Sequence, residues 1–361
     1  MSFGHQHYVP CLRWKQGEYK AVSVLSEGVR EMITPLIEVA EKGYDFETGE
    51  YKKSIDDHLA PIAKRVRTNW QRRLCFVDLS LIPSIDRMRG GLHPVRYVFE
   101  QLAAQGCLAV PVTAPARDAQ YQLAVMQTVA KDTRGLCIRV SIEDAAEPGL
   151  KNSISTLLGK TVSVKDCDLI LDLGAPNFLP LDGFATLIGT IIRQLPELNA
   201  WRSFTLIGTS FPANMGEIQS AQETLPRNEW LLYKLLVPIL AKTKTRVPAY
   251  GDYAINHPQV IQKDMRLLRP SGTIRYAVDD AWVIFKGPNV RDNGYGQYVG
   301  HCKKVIASPF YPGSSFSEGD KYIFNCANGS AGTGNLSTWR WVGTNRHLEK
   351  VARDVANFYV A

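Results

Sequence analysis

Long apolar runs are missing from this sequence. The most apolar helix-like stretch, Trp230–Leu240 (WLLYKLLVPIL), carries Lys234 and Pro238. It falls far short of the ~20 residues needed to cross a bilayer, so it reads as a core helix and no membrane role is expected. The opening MSFGHQHYVP has no apolar segment of the secretory type. Cysteines are too few and too scattered for a disulfide framework: seven in 361 residues. Cys75, Cys107, Cys137 and Cys167 each open an apolar run, where cysteine acts as a small buried hydrophobe. A reducing cytoplasm is the expected compartment.

Signatures of metal and nucleophile chemistry are equally sparse. His5 and His7 form an HxH pair, but it precedes the first strand instead of following one. His301, Cys302, Cys326 and His347 lack the paired spacing of a zinc site. In GTSFP, Pro212 stands where a nucleophile elbow needs its second glycine. No Walker lysine follows the glycines between Gly329 and Gly334, and Gly294-Tyr295-Gly296 is an isolated fragment of a dinucleotide turn. The net charge of +7 would favour an acidic partner or nucleic acid, and it equally fits an ordinary soluble protein. Its densest basic stretch, KRVRTNWQRR from Lys64 to Arg73, ends a helical pattern and reads as a solvated face.

What the sequence does have is a repeat. Short runs rich in Val, Ile, Leu, Phe and Cys recur at Tyr8–Leu12, Pro35–Val39, Leu74–Leu79, Leu108–Thr113, Leu136–Ser141, Asp168–Leu173, Phe204–Gly208 and Val247–Asp252. Most are continuously apolar, as parallel strands buried on both faces must be. Helical patterns alternate with them at Gly17–Leu25, Ile55–Trp70, Pro94–Gln105, Ala119–Lys131, Asn152–Leu158, Gly183–Leu195, Asn228–Leu240 and His257–Leu268. Eight strand–helix units over about 250 residues have the size of a closed barrel. The fold expected is therefore α/β, a TIM-like (β/α)8 barrel over residues 1–270. An open doubly wound sheet is the alternative, and it lacks its glycine-rich first turn.

After Gly272 the pattern changes. TIRYAV and AWVIFK read as an antiparallel hairpin joined through Asp279 and Asp280. A helical stretch Tyr295–Ile306, a loop-rich segment Ser308–Gly334 and a last helix from about Asn345 to Tyr359 follow, with a turn expected at Gly343. Residues 271–361 are thus expected to form a C-terminal extension of hairpin, loop and helix packed on the barrel.

Barrel proteins place function at the C-terminal ends of their strands. Glu38, Asp78 and Asp172 sit at matching places in PLIE, CFVD and LILD, and Asp252 ends the eighth run in AYGDY. Converging carboxylates can hold a hard divalent ion or act as an acid–base pair. Arg13, Lys15, Arg275 and Arg340 are candidates to hold a phosphate. The same cations could instead pair with the carboxylates in a structural network. Near the C-terminus, STWRWVGTNRHL gathers Trp339, Arg340, Trp341, Asn345, Arg346 and His347. Tryptophan and arginine are enriched in interface hot spots, and they serve equally well to dock a tail.

Several segments together, HYVPCLRWKQGEYKAV, PLIEV, TIRYAVDDAWVIFKG, GYGQYVGHC, FSEGDKYI and GNLSTWRWVGTNRHL, resemble the Beta family of bacterial and phage proteins. The resemblance spans nearly the whole chain. It implies a role beside a toxic Gop-like partner: in the satellite-phage gop–beta–cII locus, Gop kills the host and Beta suppresses the killing. An antitoxin-like component of a prophage-encoded, abortive-infection defence module is therefore expected. The resemblance supplies no catalytic residues. The enzymatic alternative is a metal-dependent hydrolase or phosphodiesterase acting on a nucleotide or nucleic acid, with a divalent cation at the barrel mouth.

Overall fold

The computed structural model describes residues 2–159, 162–259, 264 and 266–358. Its strands, in chain order, are β1 (Tyr8–Arg13), β2 (Leu36–Glu38), β3 (Tyr44–Asp45), β4 (Glu50–Tyr51), β5 (Leu74–Asp78), β6 (Leu108–Thr113), β7 (Cys137–Ser141), β8 (Asp168–Asp172), β9 (Ser203–Gly208), β10 (Gln222–Pro226), β11 (Ala249–Asp252), β12 (Ser271–Ala277) and β13 (Ala281–Asn289). Eight of them close into a barrel in the order β1-β11-β9-β8-β7-β6-β5-β2. Every neighbouring pair in it is parallel. The eight apolar runs of the sequence are these strands.

Their side chains divide by the two-residue period of a strand. Val9, Cys11, Leu36, Phe76, Val110, Val112, Cys137, Ile170 and Ile207 pack together as the inner core. The alternate residues, among them Tyr8, Leu12, Ile37, Cys75, Ile138, Leu171, Leu206 and Tyr250, pack outward under the helices. All seven cysteines are buried and unpaired.

The helices follow the pattern with instructive departures. The stretch expected as one helix over Ile55–Trp70 is two, Ile55–Leu59 and Ile62–Asn69. Pro61 stands between them, and its missing N–H cannot continue the ladder. The stretch expected as loop over Ser308–Gly334 contains the helix Glu318–Ala327. Ser317 caps it, accepting from the Asp320 N–H at 2.9 Å. The expected helix over His257–Leu268 lies partly outside the described residues, and its described residues hold turns and bends.

The hairpin of the C-terminal quarter is β12 and β13, and β13 pairs on its other edge with β10. β10 comes from the connection after barrel strand β9, so this sheet draws chain from both sides of residue 270. One face of the sheet carries Ile274, Tyr276, Val283 and Phe285 against the helices Gln297–Ile306 and Glu318–Ala327. The other carries Ala277, Trp282 and Ile284 onto Phe211 and Ile255, which lie in the loops after β9 and β11. The sheet therefore covers part of the C-terminal face of the barrel.

The last helix runs Leu336–Ala356, starting well before the expected Asn345, and its cap is Asn335. Gly343 is a contact and not a turn: a Cβ there would lie 3.0 Å from the Arg275 carbonyl oxygen and from Ile255. At Gly319 a Cβ would meet the Val342 carbonyl at 2.6 Å. Close backbone approach thus seats this helix. Gly319→Val should lower stability by about 2–3 kcal/mol, the cost of overpacking a fixed contact. Urea unfolding midpoints of the variant and the parent chain measure it.

Candidate functional site at the barrel mouth

Glu38, Asp78 and Asp172 end β2, β5 and β8 facing the barrel interior, and the register Arg13–Glu38–Asp78 runs straight across β1, β2 and β5. Between the carboxylates lies Arg139 of β7. Its Nη1 donates to Glu38 at 2.9 Å and to Asp78 at 3.0 Å. Its Nε donates to Asp172 at 2.8 Å, and its Nη2 donates to the Tyr253 hydroxyl at 2.8 Å. Tyr253 in turn donates to Asp172 at 2.6 Å. Two further cations complete the set, Arg13 at 3.9 Å from Glu38 and Arg117 at 3.4 Å from Asp78. Three guanidinium groups thus stand against three carboxylates.

The electrostatics follow. Burial alone would raise the pKa of Asp78, but Arg117 and Arg139 outweigh it and hold the carboxyl below its usual range. Burial works against the charge of Arg139 too, and its surroundings, Tyr253 and Asp172 foremost, reverse that and push its pKa up. Asp78 and Arg139 thus hold each other in the charged form. Buried carboxylates are tolerated here because they are paired and bonded.

Asp252 is not part of this cluster. It follows Gly251, one residue before the inward Tyr253, and its side chain points outward, fully buried beneath the last helix. Tyr8 donates to it at 2.5 Å and the Ala254 N–H at 2.9 Å, while His347 Nε2 lies 2.8 Å away. Trp282 donates to His347 Nδ1 at 3.3 Å, which leaves Nε2 as the protonated nitrogen of a neutral ring. Burial also keeps the imidazole neutral, with its pKa lowered. Arg227, fully buried, lies 4.0 Å from Asp252, 3.8 Å from Glu229 and 3.7 Å from Asp354. This network joins the barrel to the last helix.

The four phosphate candidates separate. Arg13 pairs with Glu38 and donates to the Pro258 carbonyl at 2.8 Å, and Lys15 pairs with Glu41 at 2.6 Å. Arg275 and Arg340 line a different cavity, against the three-stranded sheet. Of the six candidates for partner binding or tail docking, Trp339, Asn345, Arg346 and His347 are buried. Trp339 stacks on Tyr298 with ring centroids 4.3 Å apart. Asn345 accepts from the Gly319 N–H and donates to the Ala21 carbonyl. Arg346 lies between Tyr276 and Phe316. They lock the last helix in place, and only Arg340 and Trp341 keep partial solvent contact.

Among the described residues, no group of three or more His, Cys, Asp or Glu side chains is arranged to hold a metal ion. No helix among them is long and apolar enough to cross a membrane.

The Beta protein family profile matches residues 8–353. The chain belongs to the Beta protein family. The segments that carry the likeness at the two ends of the chain meet in space, where Asn345 donates to the Ala21 carbonyl. Among solved structures the chain is similar to a triosephosphate isomerase from Bartonella henselae, at 11% identity and a TM-score of 0.36, over 68% of this chain and 91% of that one. A search of curated proteins gave no significant match.

Arg139 is the decisive residue that the strand-end reasoning passed over. A signal existed: in LCIRVS it is the one charge within an otherwise uncharged strand, at the level of the acidic strand ends.

Proposed function

We propose that this family member acts by binding and not by turnover, as the regulatory, antitoxin-like component of a phage-defence module that restrains a toxic Gop-like partner. What supports binding is the guanidinium of Arg139 among Glu38, Asp78 and Asp172. Groups that must take up a divalent ion or pass protons do poorly when each is already bonded to a fixed cation. The defence role is supported by the family membership over residues 8–353 and by the pairing of Beta with Gop in the satellite-phage locus. Co-expression with the product of the adjacent gene tests it. The chain should restore host growth and co-purify with the toxic product. Unchanged killing in the presence of soluble, folded chain would refute the proposal.

One observation favours the hydrolase reading: three carboxylates do gather at the end of the barrel where enzymes of this fold work. That reading requires Arg139 to leave and a metal to take its place.

A further inference from the structure

A group of cations with few acidic partners lies outside the barrel. A cavity of about 600 Å³ opens between the loop after β9, strands β12 and β13, and the start of the last helix. Its lining includes Arg269, Arg275, Lys286 and Arg340 and, among the described residues, no aspartate or glutamate. Arg269 reaches Asp292 at 3.2 Å, exposed at the rim. Among the described residues the Lys286 ammonium donates to the Ile218 carbonyl alone, and Arg340 to Asn256 and the Ile255 carbonyl.

Arg275 is the most telling. Its side chain makes no hydrogen bond or ion pair with any described residue, and its Nε is buried without a partner. Its one protein contact of note is the Phe211 ring, 5.6 Å from the guanidinium. Burial, and then the charge of Arg340, push its pKa down to about 9. A guanidinium does not give up its proton at neutral pH, so the depression reflects a charge held at a cost with no counter-ion. Proteins pair such charges. Glu18 acts on the neighbouring Arg340 and is itself bonded to Asn256 and the Lys15 N–H.

We propose that this cavity is a binding site for a phosphate-bearing small molecule of nucleotide size, with Arg275, Lys286 and Arg340 as its anion-holding residues. More than one cation without a counter-ion favours a phosphate over a single carboxylate. Guanidinium groups match its oxygens in charge and geometry. The volume lies in the range of small-ligand sites and exceeds what a lone phosphate fills. Ser271, Thr273, Asn214 and Asn289 add polar side chains to the lining. The site is separate from the barrel mouth and does not depend on the restraint of a partner.

Isothermal titration and thermal unfolding of the full chain test it, with ATP, ADP and AMP in one arm and inorganic phosphate in the other. A nucleotide should bind, raise the unfolding temperature and be recovered unchanged. Phosphate should bind more weakly, for want of contacts in the rest of the cavity. Arg275→Gln should weaken nucleotide binding roughly ten- to a hundredfold, the loss of one charge-assisted contact. It should leave the ligand-free unfolding temperature unchanged or higher, because it removes an unpaired charge. Arg96→Gln, on another face, should leave binding intact. Absence of binding by nucleotides and phosphate at millimolar concentration would overturn the proposal. So would binding that Arg275→Gln leaves undiminished, or a ligand-free chain that Arg275→Gln unfolds.

Discussion

Replacing Arg139 with methionine should destabilise the chain by about 3–5 kcal/mol, the cost of leaving buried charges without their partner. Glu38, Asp78 and Asp172 would then face one another around an apolar side chain, with only Arg13 and Arg117 at the edges, at 3.9 Å and 3.4 Å. Chemical denaturation at pH 7.5 measures the loss. Adding Glu38→Gln to the Arg139→Met chain should restore part of it, because one repelling charge is removed. A lone Glu38→Gln in the parent should cost stability, because Arg139 loses a bond of 2.9 Å. The reversal of sign between the two backgrounds is the signature of a coupled charge cluster. Two independent losses that simply add would mean the cluster does not act as a unit.

Arg227→Met should have an effect of the same order, about 3–5 kcal/mol, at a site where no side-chain atom meets solvent. Arg227 is the cation shared by Asp252, Glu229 and Asp354, and it also donates to the Asp279 carbonyl at 3.1 Å. The pH dependence gives this variant a second mark. Burial raises the Glu229 pKa to about 7, and Arg227 keeps it from rising further. A carboxyl whose folded pKa lies above its unfolded value stabilises below the unfolded value and loses that contribution as pH rises through the folded one. Without Arg227 the folded pKa climbs, so the variant goes on losing stability where the parent has levelled off. The deficit against the parent should therefore widen from pH 6 to pH 9, measured as urea midpoints. A deficit independent of pH would mean that Arg227 acts through packing and its carbonyl bonds alone.

The barrel could be read from the sequence because burial on both faces leaves a mark that local composition records. Runs such as LAVPVT and LILDL have few other uses in a chain of this size. The acidic strand ends were equally visible, since Glu38, Asp78 and Asp172 occupy the same place in three runs. Which way each one points was not. Asp252 closes β11 just as Asp172 closes β8, but with the strand's period of two, one position decides whether a carboxylate meets Arg139 or His347. The length of β11 before its loop sets that parity, and a string of residues does not state it.

The extension was harder to read for a different reason. Gly343 has the look of a helix breaker, and it is a helix contact, because the relevant neighbour, the Arg275 carbonyl, lies 68 residues away in sequence (343 − 275). The same holds for Trp339, Arg346 and His347, whose types suit an interface and whose surroundings are Tyr298, Phe316 and Trp282 of the same chain. Strand β10 escaped notice because QETLP lies at the edge of its sheet, with alternating exposure and little apolar content.

On the proposed function the mouth carboxylates serve Arg139 and not a metal. The most direct measurement is the thermal unfolding of the parent chain titrated with manganese or magnesium chloride, beside the Asp78→Asn variant. The expected result is an unfolding temperature that stays flat to millimolar metal in both chains. A saturable rise in the parent that Asp78→Asn abolishes would contradict it.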